Sequence, residues 1–292
     1  MFFIRLLSRM PWFILVGISN LMYLLVYRIG RYRYSVVSRN LLNSFPEKSD
    51  QERKQLARRF YRGFFDFIIE TLKLLTLSEK GIRKRVTFSN PEIFDEIEGD
   101  GACIVLGTHF LNWEIYVTAS DEKLSRQLVF GYQKLNNAFF NKLIYIIRTK
   151  FGGEGMIRHE TAKTILKGRK DHKFFYILGD QAPVGKAKRY WTRFLNQKTS
   201  FYHGVGQISK LSQLPVLILL PRRKERFTYE VEFAWINKVP GSMESEEILD
   251  KYIDLLEQQI VKYPEDWLWT HKRWKTKLRD EDIISEKLKS NG

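Results

Sequence analysis

From residue 102 onward, short apolar runs alternate with amphipathic segments, and this alternation constrains the fold more than any other feature of the chain. The runs at 102–106, 128–132, 173–178 and 215–220 hold few polar residues. They are too short for ordinary helices and match strands of a parallel sheet, which are buried on both faces and lose the usual in–out alternation. The intervening segments 137–149, 160–167 and 202–214 space their apolar residues as helices do. Alternation of this kind predicts an α/β fold with a mixed, largely parallel sheet flanked by helices. The run 229–235 alternates residue by residue and reads as an antiparallel edge strand. Between 186 and 198 the pattern loosens into basic residues set among Tyr190, Trp191 and Phe194.

In sheets of this class, polar residues just past the carboxyl ends of strands are site candidates. Four residues hold that position: His109 after the first run, Arg158 after Met156-Ile157, Asp180 after Leu178-Gly179, and Arg222 after Pro221. The first is the most informative. His109 lies in a turn between the 102–106 strand and a helix expected over 115–120, and Glu114 follows five positions later. An imidazole exposed at such a turn can act as a general base. A carboxylate in the first helical turn is favoured by the helix dipole and can hold one ring nitrogen. Asn112 is a suitable N-cap. Taken singly, each residue also has a plain structural explanation: Asp180 could simply begin a turn, and Arg158 could be a solvated loop residue.

The N-terminal end constrains the surroundings. Residues 10–27 are nearly all apolar, with Arg5 and Arg9 before them and Arg28, Arg31 and Arg33 after, and no acid occurs before Glu47. As a helix this segment is about 27 Å long, close to the hydrocarbon thickness of a bilayer. Trp12, Tyr23 and Tyr27 suit its interfaces. Ser19 and Asn20 fall mid-span, which favours a membrane anchor over a clean crossing, and a buried core helix is the other reading. The chain therefore divides into an anchoring helix over 1–30 and a catalytic domain over 31–292. Ser49 and Glu52 form a capping box for a helix running to about residue 75.

The formal net charge of +16 calls for an anionic partner, either nucleic acid, an anionic membrane surface or a phosphorylated substrate. One cysteine, Cys103, sits in an apolar run, which points to a reducing compartment and to chemistry without a metal. The glycines at 152, 153 and 155 fit neither a Walker nor a Rossmann loop, and no serine elbow is present.

Several ordered motifs also carry a family resemblance. They are Arg39-Asn40-Leu41 with Phe45-Pro46, His109 through Glu114, Ile157-Arg158, Asp180-Gln181, and a C-terminal block in which Pro264-Glu265, Trp267, Trp269, His271 and Arg273-Trp274-Lys275 recur in order. Together they resemble the bacterial lipid A late acyltransferases, the lauroyl and myristoyl transferases of the lysophospholipid acyltransferase superfamily. Thr108 and Phe110 depart from the small residues usual around that histidine. The resemblance implies a glycerolipid acyltransferase-like fold. It also implies transfer of an acyl chain from acyl carrier protein or acyl-CoA to a hydroxyl of a lipid acceptor, a lipid A precursor foremost.

His109, Glu114, Arg158 and Asp180 are then the expected catalytic set. Glu114 orients His109, Arg158 meets oxyanion charge or an acceptor phosphate, and Asp180 orders Arg158 or the neighbouring loop. Asn112, Gln181, Lys186, Lys188, Arg189, Arg193 and Arg222 are the expected substrate contacts. No cofactor, metal or nucleic acid is expected. The expected setting is the cytoplasmic face of the anionic inner membrane. An aminolipid or glycolipid acceptor, or a non-catalytic binder of membranes or nucleic acid, are the competing functions.

Overall fold

The computed structural model describes residues 2–97, 101–123 and 126–289. Two helices open the chain, α1 (Phe2–Arg9) and α2 (Trp12–Met22), parted at Pro11, which lacks a backbone N–H and sits just before the first turn of α2. A π-helical continuation, Tyr23–Ile29, extends α2. The 18 residues from Trp12 to Ile29 are long and apolar enough to cross a membrane by length and composition, and only 17% of them are buried. The helix is nevertheless tied to the body of the protein. Ser19 donates to Asp66 at 2.6 Å, and the Arg85 guanidinium lies 3.7 Å from the centre of the Trp12 ring. Helix α3 (Tyr34–Ser44) follows, then α4 (Asp50–Leu74), which opens with the expected Ser49/Glu52 capping box.

The remaining elements are α5 (Glu79–Arg83), β1 (Val86–Phe88), β2 (Cys103–Gly107), α6 (Trp113–Lys123), β3 (Gln127–Tyr132), α7 (Ala138–Arg148), β4 (Glu154–Ile157), α8 (Thr161–Gly168), β5 (Lys173–Leu178), β6 (Arg189–Phe194), β7 (Gln197–Tyr202), α9 (His203–Ser212), β8 (Val216–Glu225), β9 (Thr228–Asn237), α10 (Ser245–Lys262), β10 (Ile283–Ile284) and α11 (Glu286–Lys289). A seven-stranded sheet runs in the order β1-β9-β8-β2-β5-β3-β4. Five strands are parallel; β9 pairs antiparallel to β8, and β1 runs with β9. All five residues of β2 are buried, as its central place between β5 and β8 requires.

Two local expectations change, and the segment after Lys275 adds a further strand. β9 alternates in burial, yet it is not an edge strand, because β1 covers its outer side. The loose basic stretch is a hairpin: β6 pairs antiparallel with β7, so Tyr190, Trp191 and Phe194 are buried while Arg193 points to solvent. The charged C-terminal tail adds β10 parallel to β6, closing a second, three-stranded sheet, with the Trp191 indole donating to Asp282 at 2.7 Å.

Candidate active site

The sheet register assembles the site. In the β2–β5 pair, Gly107 stands opposite Leu178. His109 and Asp180 each lie two residues further along, so the two side chains emerge side by side at the carboxyl ends of adjacent strands. The His109 Nδ1 atom is 2.6 Å from Asp180 Oδ1, and the His109 backbone N–H donates to Asp180 Oδ2 at 3.0 Å. The Trp267 indole N–H also donates to Oδ2, at 2.9 Å. Burial alone would raise the Asp180 pKa; the charge of His109 and these hydrogen bonds outweigh it and bring the carboxyl down to about 2.

An ionised carboxylate only accepts hydrogen bonds, so Nδ1 of His109 carries a proton, and whenever the ring is neutral it is Nε2 that holds the lone pair. The Gln181 amide nitrogen lies 3.1 Å from that Nε2, where it can donate. The imidazole also meets the edge of the Trp113 ring, with centroids 4.8 Å apart.

The C-terminal block holds the histidine loop from the other side. Phe110 bridges to Trp267, Leu111 N–H donates to the Asp266 carbonyl at 2.7 Å, and Leu268 N–H donates to the His109 carbonyl at 3.1 Å. Leu111 adopts a φ of 53°, a conformation most side chains avoid, and these bonds hold it there. Asn40 ties the same block to α3 by donating to the Trp269 and His271 carbonyls at 2.8 and 3.1 Å.

Glu114 does not face the His109 ring. Its two carboxylate oxygens accept from Arg148 at the end of α7, at 2.6 and 2.7 Å, in a buried bidentate pair. The carboxylate on the imidazole is Asp180, for which the sequence suggests the ordering of Arg158 or the neighbouring loop. Asn112 accepts from Ile115 N–H as the expected N-cap and donates to Glu70 at 3.1 Å. Glu70 is fully buried on α4 and also accepts from the Tyr229 hydroxyl; its Oε1 has no partner among the described residues. Burial pushes its carboxyl up to about 7 against those two hydrogen bonds.

The imidazole opens into a cleft lined by Phe60, Gly63, Phe64 and Phe67 of α4, Trp113, and Arg223. Arg223, not Arg222, is the basic residue of β8 that reaches this cleft. Successive strand residues point to opposite faces, so Arg222 turns away and pairs with Glu230. Arg223 pairs with Asp266 at 2.9 Å, and burial holds the Asp266 carboxyl near 6 despite that partner. Arg158 follows the last residue of β4, three strands from β2 and so about 14 Å to the side at ~4.8 Å per strand. It packs over the Tyr202 ring and reaches Gln133 at 3.4 Å. Arg189 donates to the Lys277 carbonyl at 2.8 Å and braces the second sheet, while Lys186, Lys188 and Arg193 are exposed away from the cleft.

Behind Asp180, Arg273 is buried against the Phe201 ring, and none of its three guanidinium nitrogens has a hydrogen-bond partner among the described residues. Burial lowers its pKa to about 10. Burial, reinforced by Arg273, brings neighbouring His271 to about 4, so its Nε2 accepts from the Ala182 N–H at 3.3 Å. Sequence reasoning missed Arg148, Glu70 and Arg223. Of these, only Arg223 carried a signal, as the other half of an Arg-Arg pair on a strand.

The family model for bacterial lipid A biosynthesis acyltransferases matches residues 1–276. Among similar curated proteins, lipid A biosynthesis acyltransferase 2 of Shigella flexneri is 24% identical, covering 87% of this chain and 81% of its own length. A lipid A biosynthesis acyltransferase of Haemophilus influenzae is 22% identical over 97% of this chain and 88% of its own. The lipid A biosynthesis lauroyltransferase of Escherichia coli K12 is 21% identical over 89% and 88% respectively.

Proposed function

The chain belongs to the bacterial lipid A biosynthesis acyltransferase family, and from that premise we propose that it transfers a fatty acyl chain from an acyl carrier protein or acyl-CoA thioester to a hydroxyl of a lipid A precursor. The observation that carries the chemistry is the imidazole of His109, held through Nδ1 by Asp180 with Nε2 turned to the α4 cleft. The acceptor hydroxyl displaces the Gln181 amide from Nε2 and gives up its proton there as its oxygen attacks the thioester carbonyl. The carbon–sulfur bond then breaks, and the imidazolium returns the proton to the leaving thiolate. Asp180 orients the ring and stabilises the imidazolium; it takes no proton.

In this account the orienting role expected of Glu114 passes to Asp180. Glu114 instead locks α6 to α7 through Arg148 and so fixes the helix that follows the histidine loop. Arg223 faces the same cleft as His109 and is placed to meet charge on the acceptor or the reacting carbonyl. Arg158, past the outer strand β4 and packed on Tyr202, has no part in this chemistry.

The cleft at the ring is open to solvent on one side, so the reacting groups of both substrates can approach Nε2 from there. The exposed face of the first three helical segments supports work at a membrane surface: Phe2, Phe3, Phe13, Leu21, Leu24 and Ile29 are each between 51% and 81% exposed. The basic residues that flank it favour a cytoplasmic catalytic domain.

The lipid profile of a strain lacking the protein tests this. One lipid A species should lose the mass of one acyl chain, restored by the wild-type protein and not by His109→Ala. Restoration by His109→Ala would remove the histidine from the mechanism. Loss of acyl mass from an aminolipid or glycolipid instead would reassign the acceptor.

A further inference from the structure

A second cleft, of about 230 Å³, lies where the apolar N-terminal helix meets α3 and α4. Its walls are Tyr27, Arg28, Arg31, Tyr34, Lys54 and Arg58. Four of the six are cations, and no acid lines it. The acids of α4 are engaged elsewhere. Asp50 pairs with Arg53, Glu52 closes the capping box, Asp66 pairs with Arg226, and Glu70 is buried against Asn112. Among the described residues none of these four cations makes an ion pair, and the one acid whose field reaches them, Asp50 near Lys54, is itself bonded to Arg53, so most of their mutual repulsion is left standing. Arg31 is held there in a left-handed conformation, φ 47°, by a turn in which its carbonyl accepts from the Tyr34 N–H at 3.0 Å.

The position of the cleft says more about its ligand than the charge does. Arg28 and Arg31 bracket the end of the long apolar helix, which is where a bilayer's headgroups would lie if that helix enters a membrane. Lys54 and Arg58 lie one turn apart on α4, the helix whose later residues Phe60, Gly63, Phe64 and Phe67 wall the His109 cleft. At ~1.5 Å per residue, Arg58 and Lys54 precede Gly63 by about 8 and 14 Å along the axis. The ~3.6-residue period puts Lys54 and Arg58 on roughly the opposite side of α4 from Gly63, Phe64 and Phe67, so this cleft is separate from the His109 cleft.

We propose that this cleft binds the phosphate of a lipid headgroup, beside the reacting centre and separate from it. The inference rests on the acyltransferase reading only for its link to turnover; the binding itself does not depend on it. The phosphate is carried either by the acceptor or by a neighbouring phospholipid, and the two sources make different kinetic demands.

The test uses the full chain in dodecyl maltoside micelles, titrated with dihexanoyl phosphatidic acid, dihexanoyl phosphatidylcholine and inorganic phosphate. Wild type and His109→Ala should bind phosphatidic acid alike and phosphatidylcholine at least ten-fold more weakly. Arg31→Gln/Arg58→Gln should lose about ten-fold or more in affinity for phosphatidic acid, while Arg31→Lys/Arg58→Lys, which keeps the charge, stays within about three-fold of wild type. Unchanged affinity in the Gln pair would overturn the proposal. So would inorganic phosphate binding as tightly as phosphatidic acid, which would mark a site for free anions. In a turnover assay, an acceptor-borne phosphate places the effect of the Gln pair on the acceptor KM. A phospholipid-borne phosphate leaves that KM alone and makes activity depend on added phosphatidic acid. Absence of acyl transfer by the wild-type protein, with phosphatidic acid binding intact, would count against the acyltransferase reading and not against this site.

Discussion

Asp180 accepts three hydrogen bonds from two residues that are 158 positions apart in the chain, His109 and Trp267. Its depressed pKa means that its contribution to stability is present above its ordinary value of 3.8 and is lost only as pH falls through about 2, so the carboxylate does not titrate in the working range. Glu70 behaves in the opposite sense. Its folded pKa of about 7 lies above the ordinary 4.5, so its contribution is full below pH 4.5 and is lost as pH rises through 7. Glu70→Gln mimics the neutral form and keeps an acceptor for Asn112 and Tyr229. The variant should unfold near the wild-type temperature at pH 5 and be the more stable protein at pH 8.5, by up to ~3 kcal/mol. Thermal melts at the two pH values decide this, and equal melting temperatures at both would contradict the burial account of Glu70.

Elements position these residues, and each joint between elements has a breakable contact. Glu114 and Arg148 clamp α6 to α7. Removing one charge from a buried pair leaves the other uncompensated, so Glu114→Gln should cost about 3–5 kcal/mol in denaturant unfolding. Glu114→Gln with Arg148→Met should recover much of that loss, a result that a purely catalytic Glu114 would not give. At the α9–α10 contact, a Cβ on Gly206 would fall on the backbone carbonyl of Ser245, which cannot rotate aside as a side chain can. Gly206→Ala should lower stability by about 1–3 kcal/mol, read from the unfolding midpoint.

This is also the scale at which legibility in the sequence ran out. The buried run of β2, the capping box of α4 and the strand–turn–helix around His109 follow from local pattern and were readable directly. Which strand stands beside β2 does not. Without knowing that β5 is its neighbour, nothing local prefers Asp180 over Glu114 as the partner of His109. The choice between Arg222 and Arg223 needed the register of β8, and the Arg148 contact needed the packing of α7 on α6.

Across the whole molecule, the N-terminal helix packs on α4 and beside the edge strand β1, while the C-terminal block packs on the central strand ends. The N-terminal helix is pinned through Ser19 to Asp66 and through Trp12 to Arg85, and the C-terminal block straps the histidine loop through Trp267 and Leu268. Those ties make the apolar N-terminal segment a packed part of the body as well as a candidate membrane contact. The resulting molecule presents a reacting cleft and a cationic cleft along one helix, α4, with an apolar face beside them.

The central claim is that His109, oriented by Asp180, deprotonates a lipid hydroxyl during acyl transfer. It is tested most directly by following product mass with purified protein, an acyl carrier protein thioester and a lipid A precursor, comparing wild type with His109→Ala and Asp180→Asn at matched folded fraction. The account predicts that wild type adds one acyl chain per acceptor and that both variants are slower by about 10²-fold or more in kcat. An Asp180→Asn protein that turns over at the wild-type rate would contradict it.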